Sequence, residues 1–204
     1  MAKPAGSACN LDCAYCFYLS KRVLPGGPGS GHMPDEVLER FVKDYIDSVT
    51  SDEVVFSWQG GEPTLLGLEF FEKVVTLQAK HAKPGQRIEN DLQTNGTLLD
   101  DDWARFLKQH RFLVGLSIDG PREIHDHYRI TKRGEPTFDA VCNAAHTLRR
   151  FGVRYNTLTC VHRFNASRPL DVYRFLRREL GSTYLQFIPI VELKGFEKTA
   201  PQKW

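Results

Sequence analysis

The stretch EVVFSWQGGEPTLLGLEFFEKVVTLQAKH, Glu53 to His81, changes its hydrophobic period in the middle. EVVFSWQ, Glu53 to Gln59, is a short β-branched and aromatic run, which predicts a strand. GLEFFEKVVTLQAKH, Gly67 to His81, has helical spacing instead. QGGEP, Gln59 to Pro63, joins them as a tight turn, with glycines for positive φ and a proline that stops the strand. A strand followed by a helix is half of a parallel crossover unit.

The same unit recurs on both sides. Upstream, PDEVLERFVKDYIDSVT opens with Pro34 and two acids, as a helix N-terminus favours, and sets Val37, Phe41, Tyr45 and Val49 on one stripe. Downstream, RIENDLQT (Arg87 to Thr94), FLVGLSI (Phe112 to Ile118), RYNTLTCV (Arg154 to Val161) and YLQFIPI (Tyr184 to Ile190) read as strands. DDDWARFLKQH, TFDAVCNAAHTLRRFG and RPLDVYRFLRRELG read as helices, the last two closed by Gly152 and Gly181. Strict alternation predicts an α/β fold with right-handed crossovers and a parallel sheet covered by helices. A clipped strand before Cys9 would make six strands. His125 and His127 are spaced by two, share no helix face, and are read as loop residues.

Among 204 residues, 41% hydrophobic and 11% aromatic residues suffice for the core of one domain. Lys and Arg number 27 against 25 Asp and Glu, scattered along the chain, which offers no electrostatic case for nucleic acid or a membrane surface. No run of about 18 apolar residues could span a bilayer, and no apolar signal segment opens the chain, so the expected location is cytoplasmic. LPGGPGSGHMP, Leu24 to Pro34, describes a mobile surface loop without the Gly-Lys-Ser/Thr ending of a phosphate loop.

ACNLDCAYCFYLSK, Ala8 to Lys21, places Cys9, Cys13 and Cys16 in the spacing C-x3-C-x2-C, in a chain with five cysteines. An odd, clustered set suits thiolates kept reduced for a metal better than a disulfide framework. The motif follows the first strand position, at the end of the sheet that carries chemistry in such barrels. Structural zinc needs a fourth ligand of similar spacing. None follows: Cys142 falls in a helix and Cys160 in a strand, both read as small buried hydrophobes, and His32 stands alone. A four-iron cluster can leave one iron to a non-protein ligand. On spacing alone, zinc and cluster both stay open. Read for themselves, Ser117 and Asp119 could equally cap the segment after their strand or bind a ligand from the rim, Trp58 packs, and the alternative for Arg129 is a surface salt bridge.

With Tyr15 in the aromatic place, C-x3-C-x-aromatic-C resembles the cluster motif of radical S-adenosylmethionine (radical SAM) enzymes. FSWQGGEPTL (Phe56 to Leu65), LQTNGTLLD (Leu92 to Asp100), GLSIDGP (Gly115 to Pro121) and YLQFIPIVE (Tyr184 to Glu192) follow in order, with CFY after the last cysteine. Together they resemble the anaerobic sulfatase-maturating enzymes, over essentially the whole chain. The resemblance implies a partial (β/α)6 TIM-like barrel of the radical SAM type. It implies one [4Fe-4S] cluster on Cys9, Cys13 and Cys16, with S-adenosyl-L-methionine completing the unique iron. It implies cofactor contacts from Tyr15, Gly60, Gly61, Glu62, Gln93, Asn95, Ser117, Asp119, Arg129 and Val191, with Glu62 on the methionine ammonium. Tyr18 and Gln59 are implied as catalytic residues toward a peptide substrate.

The implied reaction is reductive cleavage of the cofactor to a 5′-deoxyadenosyl radical, which takes a hydrogen from the β-carbon of a Cys or Ser in a sulfatase polypeptide. Formylglycine is the product, and a flavodoxin or ferredoxin the electron donor. A radical SAM maturase of another peptide, or a truncated cluster-binding chain without full turnover, is the alternative. Family members continue into a cysteine-rich C-terminal domain with two auxiliary clusters, and the proton acceptor also lies beyond this point. Residues 1–204 are therefore expected to be a truncated core domain that cleaves the cofactor without efficient peptide conversion.

Overall fold

The computed structural model describes residues 1–16, 18 and 32–190. Val191 and the glycine-rich stretch from Leu24 up to residue 31 lie outside the described residues. Five strands, β1 (Glu53–Trp58), β2 (Arg87–Thr94), β3 (Leu113–Ser117), β4 (Arg154–Val161) and β5 (Leu185–Pro189), pair in chain order, all parallel. β1 and β5 do not pair, so the curled sheet is a partial barrel with an open side. Helix α1 (Asp35–Ser48) precedes β1, and α2 (Gly67–His81), α3 (Asp101–Gln109), α4 (Arg122–Tyr128), α5 (Phe138–Arg150), α6 (Arg163–Ala166) and α7 (Pro169–Arg174) lie in the crossovers.

Strand alternation sorts the two faces. Val54, Phe56 and Trp58 of β1, Leu92 of β2, and Val114 and Leu116 of β3 are buried in one core with the helices. Trp58 meets Phe71 edge to face at 6.0 Å, and Phe71 meets Trp103 at 5.5 Å, the preferred geometry of aromatic pairs. Asn90 accepts the Trp58 indole N–H at 2.8 Å and exchanges amide bonds with Gln78 at 2.9 Å, which pairs these polar groups inside the core. The opposite face is polar: Ser57 donates to Asp91 at 2.6 Å, and Gln93, Gly115 and Asn156 stand side by side across β2, β3 and β4.

Several expectations need correction. In α1 the buried stripe is Leu38, Val42 and Ile46, while Val37 is exposed and Phe41, Tyr45 and Val49 flank the core. The two stripes share their spacing and differ by one residue of rotation, which periodicity alone does not resolve. The segment before Cys9 is no sixth strand: Ala2 bridges Trp58, and a turn over residues 4–7 ends the pairing. Residues 122–128 are helix, not loop, with Ile124, His125 and Tyr128 buried. The helix expected from Arg168 passes after Arg174 into a π-helical turn, Phe175–Glu179. Cys142 and Cys160 are partly rather than fully buried.

Candidate functional site

Parallel strands bring all their C-terminal ends to one edge, and here each of the first four is followed by polar residues: Gln59 to Glu62 after β1, Asn95 after β2, Asp119 after β3, His162 after β4. The cysteine-bearing segment is seated on that edge. Gly61 N–H donates to the Gly6 carbonyl at 2.9 Å, and Glu62 N–H to the Ala8 carbonyl at 2.7 Å. A Cβ on Gly61 would stand 2.0 Å from the Ala8 oxygen, and one on Gly60, at φ 129°, 2.9 Å from the Gly6 oxygen. The close approach that these glycines permit is thus to the protein's own cysteine segment. On the β2 side, Asn95 Nδ2 donates to Asn10 at 2.8 Å and lies 3.7 Å from Cys9 Sγ, while its Oδ1 accepts Thr97 N–H at 3.0 Å. On the α4 side, Asp12 and Ala14 N–H groups donate to the Ile130 and Tyr128 carbonyls at 2.8 and 3.0 Å.

Burial pushes the Cys9 thiol up, and Cys13 to about 12 against the pull of the Arg129 guanidinium. Cys16 adds to both shifts, and Cys9 to that of Cys13, so the three thiols are electrostatic neighbours. Among the described residues, no three Cys, His, Asp or Glu side chains converge as a single ion requires. Three neighbouring thiols are a donor set of the kind that an iron–sulfur cluster takes.

Glu62 is 1% exposed. Its Oε1 accepts Thr64 N–H at 3.1 Å and the Thr64 and Thr94 hydroxyls at 2.7 Å, and its Oε2 accepts Asn95 N–H at 2.7 Å. All four donors are neutral, and burial raises the carboxyl above its ordinary value. Among the described residues no Lys or Arg pairs with it, and Oε2 keeps an acceptor site. A buried carboxylate held only by neutral donors favours an added cation.

Asp119 is fully buried, but differently served. Oδ2 accepts the Tyr15 hydroxyl and, at 2.9 Å, Arg129 Nε, and Oδ1 accepts Arg129 Nη2 at 3.2 Å and Cys160 N–H at 3.0 Å. Burial pushes this carboxyl up, and the guanidinium more than reverses it, holding it below the ordinary range. Arg129 is therefore no surface salt bridge: its side chain is 8% exposed and ends 5.5 Å above the Tyr15 ring. Cys160 lies 3.9 Å from Arg129 Nη2, on the rim rather than in the apolar core.

Ser117 is buried at the end of β3, and Gln93 lies on the polar face. Tyr18 lies under the Lys3 ammonium at 5.4 Å, and Lys3 also packs against Gly60, beside Gln59. Sequence reasoning missed His162, His125 and Asn165. His162 stacks on Tyr15 at 5.7 Å and meets Tyr128 edge to face at 4.6 Å. His125 accepts Asp119 N–H at 3.4 Å and bonds Thr137 at 3.1 Å; burial pulls it down to about 3, so it is neutral. Asn165 Nδ2 donates to the Cys160 carbonyl at 2.8 Å. One signal was present: His162 directly follows β4, in the position that Asn95 holds after β2.

A family profile described as the radical SAM superfamily matches residues 4–176. A serine-type anaerobic sulfatase-maturating enzyme of Bacteroides thetaiotaomicron is 46% identical over 192 residues, covering 94% of this chain and 46% of the relative. A cysteine-type enzyme of Clostridium perfringens is 46% identical over 200 residues, covering 96% of this chain and 53% of the relative. A solved structure described as native anSMEcpe with bound AdoMet and Kp18Cys peptide has a TM-score of 0.86 at 43% identity, covering 98% of this chain and 54% of that one. The chain spans about half the length of the curated relatives it matches.

Proposed function

The chain belongs to the radical SAM superfamily, and from that premise we propose that it is the barrel portion of an anaerobic sulfatase-maturating enzyme, which oxidises a Cys or Ser of a sulfatase polypeptide to formylglycine. Similarity to serine-type and cysteine-type maturases supports the substrate class without choosing between the residues. The observation that carries the reading is Glu62, a buried carboxylate with no Lys or Arg partner among the described residues, whose charge reaches the Cys9 thiol. An amino-acid ammonium seated there would gain a charge-assisted bond to Oε2 and sit beside the thiols.

In this reading Cys9, Cys13 and Cys16 hold one [4Fe-4S] cluster, and Glu62 and Arg129 bind the ammonium and carboxylate of S-adenosylmethionine. Together, cluster and cofactor supply one-electron chemistry: reductive cleavage, then removal of hydrogen from the substrate's β-carbon. Asp119, with both oxygens occupied, acts through Arg129 and Tyr15 by holding guanidinium and phenol in place. Gly60 and Gly61 act through the cysteine segment that they admit. Ser117, Asn95 and Gln93 contact the cofactor from the ends of β3 and β2. Tyr18 and Gln59 face the peptide. A flavodoxin or ferredoxin supplies electrons, in the cytoplasm. Among the described residues no helix is long and apolar enough to cross a membrane.

Anaerobic reconstitution tests the reading. Iron and acid-labile sulfide are expected, lost when any of Cys9, Cys13 or Cys16 becomes Ala, together with 5′-deoxyadenosine on reduction with S-adenosylmethionine. Mass spectrometry then compares a sulfatase-derived peptide with an unrelated peptide containing Cys or Ser. Stoichiometric zinc without sulfide overturns the cluster, and modification of the unrelated peptide alone overturns the sulfatase assignment.

A further inference from the structure

Asp119 is surrounded by more donors than it can bond. A carboxylate offers about four acceptor sites, and Tyr15 Oη, Arg129 Nε, Arg129 Nη2 and Cys160 N occupy them. His162 brings a fifth. Its Nδ1 accepts Asn165 N–H at 3.3 Å, as part of the cap of α6, so the ring proton sits on Nε2. The side chain is 0% exposed, Nε2 has no hydrogen-bond partner among the described residues, and Asp119 Oδ2 stands 3.9 Å away. That is about 1 Å beyond an ordinary N–H···O bond of ~2.9 Å. Buried donors without partners are rare in folded proteins, and each needs a reason. Stacking on Tyr15 and Tyr128 holds the ring where it is.

We infer that His162 is a positioning residue: when one of the donors on Asp119 Oδ2, Arg129 Nε or the Tyr15 hydroxyl, turns to an oxygen of the bound ligand, His162 Nε2–H closes onto the vacated site. This rests on the reading of the rim as the cofactor site, and the ligand oxygen is the carboxylate of the cofactor's amino-acid moiety. Without the reserve donor, each bond given to the ligand would strand an acceptor of a buried carboxylate. With it, Asp119 keeps four donors before and after, and Arg129 can engage the ligand while its pedestal stays intact.

The test uses the anaerobically reconstituted chain, with S-adenosylmethionine binding measured by equilibrium dialysis and thermal melting measured without ligand. His162→Asn keeps the capping acceptor, since Asn is a preferred N-cap, and removes the distal donor. Loss of the buried ring should lower the melting temperature of this variant and of His162→Gln alike, while the affinity of His162→Asn falls about tenfold, the worth of one hydrogen bond to a charged group. His162→Gln, whose longer amide returns a donor near the Nε2 position, should recover most of that affinity. In an Asp119→Asn background the His162→Asn change should cost nothing further, because its acceptor has lost its charge. Wild-type affinity in His162→Asn, or no recovery in His162→Gln, overturns the inference. So does an affinity loss that follows melting temperature across both variants, which would mark the ring as packing only. Failure of the wild-type chain to bind S-adenosylmethionine overturns the proposed function itself, a separate result.

Discussion

Glu62 and Asp119 are both buried carboxylates at the ends of neighbouring parts of one sheet, yet they are solved in opposite ways. Asp119 has a guanidinium in bidentate contact and four donors on its two oxygens. Glu62 has four neutral donors, three of them on one oxygen, and no Lys or Arg among the described residues. Their acidities diverge accordingly: burial leaves the Glu62 carboxyl raised, while Arg129 outweighs burial at Asp119 and leaves it lowered. A carboxylate with its countercharge built in is a pedestal. One with neutral donors only is a socket for a cation brought from outside.

The largest expected effect breaks the pedestal. Arg129→Ala leaves Asp119 buried without countercharge and should lower unfolding stability by about 3–5 kcal/mol in urea titration. Glu62→Gln should stay within about 1 kcal/mol of wild type, because removing an unpaired buried charge offsets the amide donor now facing Asn95 N–H. Its cost should appear in ligand affinity instead, as a roughly tenfold to hundredfold weaker binding of S-adenosylmethionine in equilibrium dialysis. Equal stability losses in the two variants would erase the distinction between pedestal and socket.

The smallest effect sharpens the comparison by its sign. The folded Glu62 holds its proton above the ordinary value of 4.5, so wild type should lose stability relative to Glu62→Gln as pH rises from there through the raised value. The folded Asp119 titrates below 3.8, so its contribution is full above that pH and should be lost as pH falls through the lowered value. Urea midpoints of wild type, Glu62→Gln and Asp119→Asn across acid pH should therefore give difference curves of opposite slope. Two slopes of the same sign would refute the assignment of Arg129 as the partner of Asp119 alone.

What could be read from the sequence was local. The β1 turn α2 unit from Glu53 to His81 announces itself by a change of period around QGGEP, and β2 and β4 fall on Arg87–Thr94 and Arg154–Val161 as expected, because strand period, turn chemistry and cysteine spacing are relations among neighbours along the chain. The stripe of α1 was one residue off, because periodicity defines a spacing and the partner helix chooses the rotation. Arg129 was named as a cofactor contact by resemblance, but nothing along the chain showed its pairing with Asp119, and His162 went unremarked. Only the curled sheet brings Tyr15, Asp119, Arg129, Cys160 and His162 together from four separate segments. Whether a buried charge is satisfied is a count of donors over all those segments, a quantity that no stretch of sequence contains and that tertiary structure alone decides.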